Sequence, residues 1–98
     1  MIIVREVFSL KFGKAKDAKA LMQESKKFMS DDMLKNSRVL VDLVGHAYTM
    51  VFETSHNNLS EFEKETASVF SKPEWQQWYQ KMIPLVDRSY REIFTVVE

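Results

Sequence analysis

Residues 38–53 read RVLVDLVGHAYTMVFE, and this stretch decides how the chain is built. Arg38–Val44 is short and rich in β-branched side chains, which fit a pleated surface better than a helix. Ala47–Glu53 is a second run of the same kind. Gly45-His46 stands between them. Two residues with Gly first suit a type II′ turn, whose twist matches that of paired strands. The stretch predicts a β-hairpin.

N-terminal to the hairpin, residues 14–34 place Ala15, Ala18, Leu21, Met22, Ser25, Phe28 and Met29 at spacings of three and four. That is one stripe of a helix, with most lysines on the wet side. Ser30-Asp31-Asp32 can end the helix or cap an extra turn before Met33 and Leu34. Earlier still, Val4–Phe12 alternates with period two, the mark of a strand. Val4, Phe8, Leu10 and Phe12 fall on one face, and Arg5, Val7, Ser9 and Lys11 on the other. Gly13 ends it.

C-terminal to the hairpin, Thr54–Asn58 is polar loop. Asn58 with Glu61 three residues on has the form of a capping box. The helix that follows buries Leu59, Phe62, Thr66, Val69 and Phe70. Ser71-Lys72-Pro73-Glu74 is a second helix start. Trp75, Trp78, Tyr79, Met82 and Val86 line one side of this segment, and Pro84 ends or kinks it. Arg88–Val97 closes as a strand, with Tyr90, Phe94 and Val96 expected toward the helices and Arg91, Ile93, Thr95 and Val97 expected away from them.

The element order is β-α-β-β-α-β. Right-handed crossovers put both helical segments on one face of a four-stranded antiparallel sheet. This is a ferredoxin-like α+β fold, expected to occupy residues 1–98 as a single domain. An antiparallel sheet with one wet face should be polar there. The open face holds Val7, Ile93, Thr95 and Val97 in this reading, so a second copy is expected to cover it about a two-fold axis.

Composition bounds the function. The 98 residues are 45% hydrophobic and 29% charged, which supports a packed core and argues against disorder. Fourteen Lys plus Arg balance fourteen Asp plus Glu. That balance argues against nucleic acid, which demands a basic surface, and against an anionic membrane surface. Cysteine is absent, which excludes disulfides, thiolate catalysis and Cys-based metal centres. MIIVREVF has no long apolar run and does not read as a signal peptide. A cytoplasmic protein is expected. Seven Phe, six Met, three Tyr and two Trp either fill an ordinary core or line a ligand pocket, since Met adapts to irregular gaps and rings supply large apolar area.

The opening VREVFSLKFGKAKD, the hairpin, and the ending SKPEWQQWYQKMIPLVDRSYREIF resemble the dimeric α+β barrel superfamily, and within it the NIPSNAP-like and antibiotic-biosynthesis-monooxygenase-like domains. The resemblance covers nearly the whole chain and is one of topology and spacing. It implies a homodimer in which two sheets enclose a barrel, with ligands in the barrel or between sheet and helices. Haem-degrading members use a His on a late helix beside an Asn and a Trp. No histidine lies between Lys72 and Glu98 here, and the first strand has no Asn. No haem is expected. With no Gly-rich phosphate loop either, no flavin or metal cofactor is expected.

His46 and His56 fall in turn and loop. They could bind a metal with Asp42 or Glu53, but the spacing is not that of a metal site, and two exposed loop histidines is the plainer reading. His46 and Tyr48 are the candidates for acid–base work. Candidate ligand-binding residues are Phe8, Tyr48, Phe52, Phe62, Trp78, Met82 and Phe94. Arg5, Arg88 or Arg91 would stand at the rim for a charged head, unless Asp42 or a Glu neutralises them. These residues predict a small-molecule-binding homodimer with an apolar pocket, fitted to a fatty acid or an aromatic acid. The alternatives are a cofactor-free monooxygenase or isomerase, and a structural or interaction module without ligand.

Overall fold

The computed structural model describes residues 1–98. Strand β1 (Ile2–Leu10) leads to helix α1 (Ala15–Glu24), a 3-10 turn (Ser25–Phe28) and the short α2 (Asp31–Lys35). Then come β2 (Ser37–Val41), β3 (Thr49–His56), α3 (Leu59–Phe70), α4 (Pro73–Met82), a 3-10 turn (Ile83–Leu85) and β4 (Val86–Thr95). The sheet order is β2-β3-β1-β4, all pairs antiparallel. The α+β fold expected from the sequence is therefore the fold observed, with the helices on one face. No helix is long and apolar enough to cross a membrane.

Local chemistry accounts for the boundaries. Ser30 accepts a hydrogen bond from Met33 N and caps α2, so the long helical stripe of residues 14–34 is two helices joined by a tightened turn. Asn58 accepts from Glu61 N and caps α3 as its spacing predicted. The first strand begins and ends two residues earlier than expected. Phe12 is 89% exposed in the turn before Gly13, beyond the end of the strand.

The hairpin is the instructive case. A two-residue turn at Gly45-His46 would set Val44 opposite Ala47 and Val41 opposite Met50. Val41 does pair with Met50, so the register is the one expected. The ladder nevertheless stops there, and residues 42–48 form an open loop. Leu43 and Val44 are 95% and 93% exposed, so extending the strands would gain no burial. Asp42 holds the loop neck by accepting Thr49 N, and Thr49 Oγ1 donates to the His46 carbonyl. Tyr48 adopts φ +61, a left-handed conformation that costs a bulky side chain energy.

Strand β4 reverses an expectation. Ile93 pairs with Val4 and Arg91 with Glu6, and both face the helices. Tyr90 and Phe94 pair with Val7 and Ile3 on the open face. Period two yields two stripes in this strand, but both are partly apolar, so alternation alone does not say which faces inward. Pairing with β1 decides. Val97 lies beyond the strand and is exposed.

The main core joins Leu10 and Met50 of the sheet to Ala18, Leu21 and Met22 of α1 and to Met82 and Leu85. It sits at one end of the molecule. Helix α3 contributes no buried residue. Between α3, α4 and the far half of the sheet, packing gives way to open space.

Candidate functional site

That space is a cavity of about 600 Å³ bordered by 23 residues, 16 of them hydrophobic. Its floor is the inward parity of three strands: Val4 and Phe8 of β1, Phe52 and Thr54 of β3, Arg91 of β4. Its walls are Met22 and Phe28 on one side and Phe62, Thr66 and Val69 of α3 on the other. Trp78 is fixed in the wall because its indole N–H donates to the Leu21 carbonyl at 2.6 Å, and Phe28 meets it edge-on. Phe70, Trp75 and Tyr79 stack in series, with centroids 4.2 and 5.0 Å apart. Phe70 and Tyr79 are also part-exposed, so this stack forms the outer rim.

Two polar clusters interrupt the apolar lining. In the first, Arg91 Nε donates to Glu6 Oε1 across the β1–β4 pair, and the guanidinium lies 5.3 Å over the Phe62 ring. A charged pair is tolerated here because the partners are directly opposite, the arginine has an aromatic face to rest on, and its side chain is 45% exposed to solvent. In the second, His56 Nε2 and Thr54 Oγ1 are 2.8 Å apart. His56 Nδ1 lies 2.8 Å from Glu65 Oε2 of α3, although its N–H is not aligned on that oxygen as a hydrogen bond. The Phe62 ring packs edge-on to the imidazole. His56 is only 6% exposed.

Of the residues singled out from sequence, Phe8, Phe52, Phe62, Trp78, Met82 and Arg91 border the cavity together. The others are placed elsewhere. Tyr48 is turned by its positive φ toward Phe12, with ring centroids 5.1 Å apart. Phe94 and Arg5 are on the opposite face of the sheet, where Arg5 stands 3.7 Å from Glu53 and 3.9 Å from Glu92. Arg88 pairs with Ser9 and shares that face. His46 is exposed in the 42–48 loop. Neither residue considered for acid–base work therefore reaches the cavity. No three of the His, Asp and Glu side chains come together as a metal-binding group.

His56 corrects the reading of residues 54–58 as loop. Strand β3 continues to His56, which carries the imidazole two residues beyond Thr54 onto the same inward face. Glu6 was missed for a related reason. It shares parity with Val4 and Phe8, but a charge on an inward stripe looks like an interruption until its partner Arg91 is known to lie opposite. Glu65 had no signal, because its role depends on where α3 crosses β3.

No protein-family model matches the sequence, and no curated protein matches it. Solved structures do share the fold. A NIPSNAP family protein from Agrobacterium tumefaciens superposes with a TM-score of 0.87 at 15% identity, over 99% of this chain and 86% of that one. A NIPSNAP domain protein from Burkholderia xenovorans gives 0.82 at 13% identity, over 99% and 95%. A candidate antibiotic biosynthesis monooxygenase from Nitrosomonas europaea gives 0.75 at 11% identity, over the whole of both chains. Both groups of the sequence resemblance are thus among the structures with this fold.

Proposed function

We propose that the chain is a small-molecule-binding domain whose cavity takes a largely apolar ligand with one polar head. The observation that carries this is the cavity itself. About 600 Å³ bordered mostly by hydrophobic side chains is a volume typical of ligand pockets, and the two polar clusters provide the few oriented groups such a site needs. Each methylene buried there would contribute about 0.8 kcal/mol, so a modest chain or ring would be held firmly.

Trp75 and Trp78 both border the cavity, so intrinsic fluorescence reports on its contents. Titration with the neutral probe N-phenyl-1-naphthylamine is expected to quench Trp emission saturably at micromolar concentration, one probe per chain. Val69→Trp, which fills the cavity from α3, is expected to abolish the effect with the fold retained. Absence of saturable binding to the wild type contradicts the proposal.

The working unit we propose is a homodimer joined through the open sheet face. Val51, Val7 and Tyr90 lie there in a row across β3, β1 and β4, and Phe94 lies on the far side of the Arg5–Glu53–Glu92 group; of these, Tyr90 and Phe94 are the exposed side chains. Covering such a face needs a self-complementary partner.

A second reading, cofactor-free oxygenation, is favoured by the fold shared with the candidate monooxygenase and by His56, a histidine at the cavity that could accept a substrate proton. Oxygen uptake with a hydroquinone substrate, lost in His56→Gln, is the outcome that reading requires.

A further inference from the structure

We infer that the cavity selects an uncharged head group bearing a hydroxyl and discriminates against the carboxylate analogue of the same molecule; this rests on the cavity being a ligand site. Besides the Tyr79 phenol, the ionisable side chains bordering the cavity are Glu6, His56 and Arg91. The one permanent cation among them, Arg91, already donates to Glu6 and rests on the Phe62 ring. Glu65 adds a carboxylate behind His56. An incoming carboxylate would meet the Glu6 carboxylate and a guanidinium already paired with it, in a mostly apolar wall. Burying an unmatched charge is far more costly than burying a hydroxyl that finds a partner.

The hydroxyl has a defined seat. The Glu65 carboxylate lies 2.8 Å from Nδ1 without an aligned hydrogen bond, and its negative charge there favours the imidazole tautomer with the proton on Nδ1 over the one with it on Nε2. Nε2 then accepts the Thr54 hydroxyl proton across the 2.8 Å between them. Thr54 Oγ1, bordering the cavity and only 6% exposed, keeps lone pairs for a ligand O–H. A carboxylate brings no proton to donate, so it cannot satisfy this acceptor.

Matched binding of 1-decanol and decanoate to the full chain, below their micellar concentrations at neutral pH, tests the inference by calorimetry. Decanol is expected to bind at least about tenfold more tightly, the modest end of what an unmatched buried charge costs. Glu6→Gln leaves Arg91 without its carboxylate and is expected to reverse the preference toward decanoate. Thr54→Val is expected to weaken decanol about fivefold, within the range of one lost hydrogen bond. Decanoate binding to the wild type as tightly as decanol overturns the inference and leaves the cavity reading standing. Binding of neither overturns both. Should Glu6→Gln fail to fold by circular dichroism, the wild-type comparison and Thr54→Val decide alone.

Discussion

Met50 and Val4 are the two largest side chains with essentially no exposure, and they mark two different environments. Met50 is packed in the core with Leu10, Leu21 and Met82, whereas Val4 borders the cavity. Truncating Met50 should leave a void that its core neighbours close only in part. Met50→Ala is expected to destabilise the chain by about 2–5 kcal/mol, read as a shift of the urea midpoint at unchanged slope. Residue-level reading of the sequence succeeded where parity and burial agree: Phe8 and Phe52 sit on strands whose other face is plainly different. It failed at Tyr48, because a left-handed backbone angle at a bulky residue leaves no mark in a hydrophobic pattern. It failed again at Arg91 and Phe94, which exchanged faces. Nothing within β4 distinguishes them, and the charge on Glu6 opposite Arg91 acquires meaning only once the strands are paired.

At the level of elements, α3 differs from α1. Helix α1 inserts Ala18, Leu21 and Met22 into the core, while α3 buries none of its residues. Its side chains are tied to the rest of the chain by Glu65 against His56, by Phe62 against His56 and Arg91, and by Phe70 stacked on Trp75. A helix fastened at so few points should open locally before the sheet does. Amide hydrogen exchange is expected to be faster across Leu59–Phe70 than across Ala15–Glu24; equal protection would contradict this. Asn58→Ala removes the acceptor for Glu61 N and is expected to cost about 1 kcal/mol, with the increase in exchange confined to α3. The hairpin shows what a local signal can and cannot carry. The two-residue turn expected at Gly45-His46 is not formed, because residues 42–48 make a longer loop; the register of Val41 with Met50 is nevertheless the one such a turn would set. The turn signal did not imply where pairing stops, because that depends on whether the sheet has anything beneath Leu43 and Val44 to pack against.

For the whole molecule, 14 of 98 residues are buried in the isolated chain, a small core for a domain that must fold. On the helix-free face the pairs Val7–Tyr90, Arg5–Glu92 and Ile3–Phe94 follow one another along β1 and β4, so that face offers both apolar area and a charged centre. If two copies meet there, they should bury on the order of 1,500 Å² or more. Sedimentation equilibrium is expected to give twice the 11.6 kDa chain mass at micromolar concentration. Phe94→Asp is expected to shift the population to monomer, because it places a charge at the seam. Ile93→Asp, which the sequence pattern alone would have chosen, lies on the helix side of the sheet and should leave the dimer intact.

The methionines provide an internal control for the cavity as a place where ligands bind. Met22, Met29, Met33 and Met82 border the cavity, and Met1 and Met50 do not. With methyl-labelled methionine, titration of 1-decanol followed by NMR is expected to move the signals of those four saturably while Met1 and Met50 stay in place. Four unmoved signals, or shifts spread alike over all six, would contradict it.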